Sequence, residues 1–322
     1  MEIFKNIYIL RINFGEGILY NHVIDACKFY LNLNHNLNTF YITVASFENE
    51  TAYDNLLDLI FNSSRRSITS LSLSIPVNDT SNKLLTHLTN CDTIVDLTLC
   101  IEADKSIRFG PTKEHYILSS ITKFRLDGYF GSMADDFILD YIHFPNLREL
   151  TFHRIKLSQK MEDFVKRHSS SLTVLNFESD ILEWNFNDIL GCCTKLTDLT
   201  VRYPILLPPI FAHASLTNIR IDQIWKGIKF DDVVEGSLRI AQELDRFLKV
   251  KPIYFPQLHN IQLLDFSKFI LKYRDITEDM ANLWTELLTR CEKRSIALYD
   301  QHMSLMTLKD IPLQPTLWRK CL

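Results

Sequence analysis

The sequence predicts an α/β fold: a curved solenoid with parallel strands on its concave face and helices on its convex face. Three observations predict it. A short apolar pattern returns at a nearly constant interval. The gaps in that pattern are polar. Between its copies the periodicity becomes helical.

The pattern is apolar-x-x-apolar-x-apolar, as in Leu147-x-x-Leu150-x-Phe152 within the stretch FPNLRELTFHRIKLS. Windows of this kind begin at Ile7, Leu37, Ile68, Ile94, Ile121, Leu147, Leu172, Leu196, Leu216 and Leu258. In a chain this rich in Leu, Ile, Val and Phe, about a dozen matches arise by chance, so spacing carries the signal. From Ile68 to Leu196 the steps are 26, 27, 26, 25 and 24 residues. Leucine-rich repeats recur every 20–29 residues or thereabouts, roughly this interval.

The gap residues fix the conformation of each window. In the eight windows from Ile68 to Leu258, only Val95 and Val174 are apolar at gap positions. Alternation with period two gives a strand with one buried face and one polar face. Between windows the chain changes period. LSQKMEDFVKRH places Met161, Phe164, Val165 and His168 on one helical face, with Ser158 at the N-cap. DNLLDLIF (54–61), NKLLTHL (82–88) and DDFILDYI (135–142) are shorter versions. Cys91, Leu118, Phe144, Cys193 and Phe255, each three residues before a window, are expected to end the preceding segment against the core. Strand and helix alternating at this period build a parallel solenoid, expected to fill residues 1–322 as a single array.

The array is irregular in several places. Repeats near residues 1–67 are loosely spaced, and a first strand needs a polar cap or a preceding module. YPILLPPIF (203–211) carries three prolines and reads as an extended connector. The 42-residue step after Leu216 holds a helical insertion at 223–250. Its apolar residues at 233, 234, 238, 241, 244, 247 and 248 mark one face. Residues 276–300 form a capping helix, opened by Thr277, and a last strand in SIALYD. A tail follows at 301–322.

Composition narrows the function. Net charge is −4 over 322 residues, and only 8 are glycine. The absent basic surplus argues against nucleic acid as a partner. Scarce glycine argues against phosphate-cradling loops. The seven cysteines include no CxxC and no zinc spacing, so free thiols in the cytoplasm or nucleus are expected. The apolar runs are too short to span a bilayer, so no membrane partner is expected. GEG at 15–17 lacks the third glycine of a dinucleotide loop and reads as a turn. KEHY (113–116) reads as the solvated face of a short helix rather than an acid–base pair. No catalytic, cofactor-binding or metal-binding set is expected.

FPNLRELTFHRIKL, FVKRHSSSLTVLNF and LWTELLTRCEKRSIALYD resemble the leucine-rich-repeat region of fungal F-box proteins. The resemblance covers roughly residues 37–300. It implies a non-enzymatic interaction scaffold, the substrate-recognition part of a cullin-type ubiquitin ligase. Relatives dock on the Skp adaptor, and through it on the cullin, by an N-terminal F-box opening with Leu-Pro. No such opening is present in this sequence, and residues 1–50 already read as repeat. The Asn that many repeats place eight residues after the first leucine is replaced by Ile155, Asp180 and Pro204. The alternatives are a stand-alone repeat-binding protein and, third, an enzyme with a site in 203–250.

The polar strand face is then the candidate ligand surface. Lys123, Arg125, Glu149, His153, Glu178, Asp198, Arg202, Arg220 and Asp222 are its charged members. Their mixed signs suit a protein or peptide better than a phosphate backbone. Arg125, Arg202 and Arg220 are the expected anchors. Thr151, in the gap beside Leu150, is expected on the wet side.

Overall fold

The structure is a computed structural model that describes residues 8–13, 18–33, 37–43, 46–47, 50–61, 68–75, 81–101, 115–128, 139–155, 158–178, 186–202, 213–222, 238, 240–242, 244–249, 255–264 and 278–311. The chain divides into two compact units, Met1–Leu172 and Thr173–Leu322.

The first unit runs β1 (Ile9–Asn13), β2 (Ile18–Leu19), α1 (Asn21–Leu33), β3 (Thr39–Thr43), β4 (Ser46–Phe47), α2 (Glu50–Phe61), β5 (Ser70–Ile75), α3 (Ser81–Thr89), β6 (Asp96–Ile101), β7 (Tyr116–Ile117), β8 (Lys123–Gly128), β9 (Ile142–His143), β10 (Glu149–His153) and α4 (Gln159–His168). Its main strands lie in the order β1-β3-β5-β6-β8-β10, and each adjacent pair is parallel. Two short parallel pairs, β2–β4 and β7–β9, were not legible as strands in the sequence.

The second unit runs β11 (Val174–Glu178), α5 (Phe186–Cys192), β12 (Asp198–Arg202), β13 (Asn218–Asp222), β14 (Asn260–Leu263), α6 (Glu278–Lys293) and β15 (Ala297–Tyr299). Its strands lie in sequence order and pair in parallel. The protein is therefore mixed α/β, with parallel strands and helices.

Strand positions follow from the apolar pattern. Every one of the ten windows has a strand starting two residues after its first apolar residue, from Ile9 after Ile7 to Asn260 after Leu258. The first apolar residue packs under the chain before the strand begins. The next two are its inward side chains: Leu147, Leu150 and Phe152 are all fully buried. Burying one such side chain contributes about 1.5–3 kcal/mol, so each window anchors its own layer.

The helices close the other side. In α4, Met161, Phe164, Val165 and His168 are buried, as the helical spacing predicts. Phe124, Phe144 and Phe164 pack ring to ring, with centroids 4.8–6.1 Å apart. His168 joins them and satisfies backbone groups at both ring nitrogens. Phe144 N–H donates to Nε2 at 3.0 Å, so Nδ1 carries the proton and donates to the Phe164 carbonyl at 2.8 Å. Burial lowers the His168 pKa to about 4. Leu118, Phe144, Cys193 and Phe255 are buried before their windows, whereas Cys91 is half-buried.

Several local expectations change. Ser158 sits at the N-cap of α4, but its side chain makes no capping bond. Within KEHY, Tyr116 belongs to strand β7 rather than a helix, because it pairs with Ile142. Of 135–142, only residues 139–141 are described as helical. Within the insertion, residues 240–242 and 244–249 are helical and bury Ile240, Ala241, Leu244, Phe247 and Leu248. Asp245 of this helix is ion-paired with Arg290 of α6 and with Lys249 at 2.8 Å. GEG at 15–17, the 203–211 connector, residues 223–237, Thr277 and residues 312–322 lie outside the described residues.

Candidate functional site

In register, parallel strands bring gap residues of successive windows side by side. In the first unit this gives three polar rows. Ser70, Asp96, Lys123 and Glu149 form the first; Ser72, Thr98, Arg125 and Thr151 the second; Cys100, Asp127 and His153 the third.

The first row is a chain of compensated charges. Lys123 Nζ lies 3.1 Å from Glu149, and Ser70 Oγ donates to Asp96 at 3.3 Å. The hydrogen bond and charge of Glu149 raise the Lys123 pKa. Burial raises that of Asp96, against the Ser70 hydrogen bond and the Lys123 charge.

The third row centres on Asp127, whose Oδ1 lies 2.8 Å from His153 Nδ1 and 3.0 Å from Arg154 Nη2. Arg125 approaches the other oxygen at 3.8 Å. Burial pushes this carboxyl up, and the hydrogen bonds and charges of His153 and Arg154 outweigh it, so its pKa falls below the ordinary value. Arg154 adopts a left-handed backbone with φ 55, which turns the chain sharply after β10. The eighth repeat position, where Asn is absent, is Ile155, and it is buried.

Cys100, Asp127 and His153 lie in one row, which invites comparison with a Cys-His-acid set. The order is wrong for that chemistry. A base must stand between nucleophile and acid, and here the acid stands between the other two. Burial and the nearby Asp127 push the Cys100 thiol up to about 11, so it stays protonated at neutral pH. Among the described residues, no group of three His, Cys, Asp or Glu side chains is placed to hold a metal ion. No described helix is long and apolar enough to cross a membrane.

In the second unit the first row is an amide ladder. Asn260 donates to Asn218 at 2.6 Å, and Asn218 donates to Asp198 at 2.8 Å. Thr197 Oγ1 donates to the other Asp198 oxygen at 2.7 Å. In the second row Thr200 donates to Asn176 at 2.7 Å, and Arg220 stands between Thr200 and Gln262. Arg220 is exposed and forms no ion pair with any described residue. In the third row Arg202 is register-paired with Asp222. The Arg202 side chain lies outside the described residues; Glu178 and Asp222 are half-buried.

The tertiary structure thus joins Lys123 to Glu149, and Arg125 and His153 to a shared Asp127. It places Glu178, Asp198, Arg202, Arg220 and Asp222 in the other unit. One expectation is corrected: Thr151 is only 5% exposed. Ser72, Asn176 and Thr200, its counterparts in other strands, are buried too. They all lie in the central row of gap residues. Asp127 and Arg154 were missed because the six-residue window ends too early. Extending the alternation from Lys123 and Arg125 by one more step reaches Asp127.

No protein-family model matches the chain, and no curated protein matches it. A crystal structure of a protein from Bacteroides fragilis is similar at a TM-score of 0.36 and 9% identity, over 87% of this chain and 76% of that one.

Proposed function

We propose that this chain is a leucine-rich-repeat-type binding scaffold, without enzymatic activity, that recognises a protein or peptide through the polar face of its strands. The observation that carries the reading is the pairing of charges on that face in the first unit. Lys123 is held by Glu149, and Arg125 and His153 gather on Asp127. Side chains fixed in this way are pre-organised, which lowers the entropy cost of binding. Neither sign dominates, which suits a protein partner better than a polyanion. The strands from β5 to β12, whose window-aligned members start 24–27 residues apart, support the solenoid reading of the fold.

The resemblance to fungal F-box proteins extends the proposal to a substrate receptor working with the Skp adaptor and a cullin. The stand-alone scaffold is its alternative. Affinity purification of the tagged chain from its own cells, with mass spectrometry of what accompanies it, tests both. Adaptor and cullin together support the receptor role. A different stable partner, lost in an Arg125→Ala/Lys123→Ala variant, supports the stand-alone scaffold. A partner retained by that variant sinks the assignment of the face.

A further inference from the structure

The polar face of the second unit carries a row of side chains whose polar ends are unused. Arg220 on β13, Gln262 on β14 and Tyr299 on β15 are register partners in turn, so their side chains leave the same face of the sheet side by side. The row continues onto Leu305, which bridges to Tyr299 beyond β15 and is 48% exposed. Arg220 is exposed, and Gln262 and Tyr299 are half-buried. Among the described residues, no side-chain hydrogen bond or ion pair engages the guanidinium, the amide or the phenol.

The surroundings of Arg220 give the physical reason. On the β12 side its row neighbour is Thr200, whose hydroxyl donates to Asn176 at 2.7 Å. In the adjoining row the two oxygens of Asp198 accept from Asn218 and Thr197. Asp222, two residues along β13, is register-paired with Arg202. On the β14 side stands the neutral Gln262. A planar fork of five donors thus stands inside the sheet, between two paired strands, with no carboxylate of its own among the described residues.

We infer that this row binds an extended peptide through the carboxylate of one acidic side chain, clamped by Arg220, with an apolar side chain four residues away seated on Leu305. The inference rests on the polar strand face being a peptide surface. The Arg fork matches the two oxygens of a carboxylate, and the Gln262 amide and Tyr299 hydroxyl supply further donors along the row. Charge selects Asp or Glu over a phosphoryl group. One guanidinium balances one carboxylate, whereas a phosphoryl group carries roughly −1.5 to −2 and would face Asp198 and Asp222 as well. Spacing sets the second contact. Adjacent strands lie about 4.8 Å apart, so Leu305, three positions across from Arg220, is about 14 Å away. An extended peptide rises about 3.3 Å per residue, so four residues cover about 13 Å. The even number keeps both side chains on one face of the peptide.

The test pans a phage-displayed library of short random peptides against the full chain and measures the recovered peptides by fluorescence polarisation. They are expected to share an Asp or Glu with an apolar residue four positions away. Arg220→Gln should weaken them about tenfold or more, with unchanged circular dichroism. Arg220→Glu, panned in the same way, should recover Lys or Arg in place of the acid, a gain that misfolding cannot imitate. Peptides without the acid, or peptides that bind Arg220→Gln as tightly as wild type, overturn the inference. If those peptides are lost instead in the Arg125→Ala/Lys123→Ala variant, the polar face still stands as a peptide surface. A chain that recovers no peptide overturns both. Tighter binding when phosphoserine replaces the acid overturns the carboxylate assignment.

Discussion

Asp127 Oδ1 lies 2.8 Å from His153 Nδ1 across a register pair of β8 and β10. Arg154 donates to the same oxygen from both Nε and Nη2, at 3.2 and 3.0 Å. One half-buried carboxylate thus ties two strands to the turn that follows them.

Asp127→Asn should lower stability by about 1–3 kcal/mol, since it removes a charged acceptor and leaves its donors under-satisfied. Urea denaturation of the two proteins measures it. The pH dependence has a definite sign. The folded pKa lies below the unfolded one, so the contribution is present above the ordinary carboxylate range and lost as acid drives the pH down through the folded value. The variant should lose less stability over that acid range than the wild type. Equal acid profiles would remove Asp127 from this role.

His168 predicts a second, separate acid transition. Its folded pKa is about 4 against an ordinary value of 6.5. Between those values the unfolded chain binds the proton and the folded chain does not, so stability falls as pH drops from 6.5 toward 4. Above 6.5 nothing changes. The full difference amounts to about 3 kcal/mol. Below that window a protonated ring can no longer accept from Phe144 N–H. His168→Gln should be less stable at pH 7 and show a flatter slope from 6.5 to 4. A slope unaltered by the substitution would place the transition elsewhere.

Leu150 and Thr151 separate pattern from packing. Leu150→Asp should unfold the protein or cost about 4 kcal/mol or more, by placing a carboxylate in the apolar core. The buried position of Thr151 makes Thr151→Asp costly as well, about 1–3 kcal/mol. Glu149→Lys, on the half-buried row beside it, should cost less than either. Melting temperatures of the three variants rank them, and a harmless Thr151→Asp would contradict the covered central row.

The amide ladder of the second unit should behave as a unit. Asn218 donates to Asp198 and accepts from Asn260. Asn218→Ala should cost about 1–2 kcal/mol. Once it is made, Asn260→Ala should cost measurably less than in the wild type, a coupling of about 0.5 kcal/mol or more. A double-mutant cycle in denaturant measures the coupling. Strict additivity would mean that the two amides do not interact in solution.

Arg290→Ala should be among the most damaging charge removals in the second unit. It strips Asp245, 9% exposed, of its partner on α6. Breaking a buried pair from one side costs about 3–5 kcal/mol. Lys249, largely exposed, holds the same carboxylate and should soften the loss toward the lower figure. Asp245→Asn on the Arg290→Ala background should recover part of the lost stability, because it removes the stranded charge. No recovery would show that the pair is not what docks the helix of residues 240–249 on α6.

Much of this architecture is determined by the sequence alone. A strand face repeats every two residues whatever surrounds it, so the windows from Ile7 to Leu258 locate ten strands, and those from Leu37 onward name their buried side chains. The faces of α4 and of the helix after residue 238 follow from the same local geometry. Partnership is a different matter. That Lys123 meets Glu149, or that Asp127 gathers Arg125, His153 and Arg154, depends on the register of strands about one repeat apart, which no local periodicity encodes. The same holds for the burial of Thr151, which the alternation of its own strand does not encode. The β7–β9 pair and the left-handed Arg154 are also decisions of the tertiary structure. Their residues carry weak local preferences, and contacts distant in sequence outweigh them.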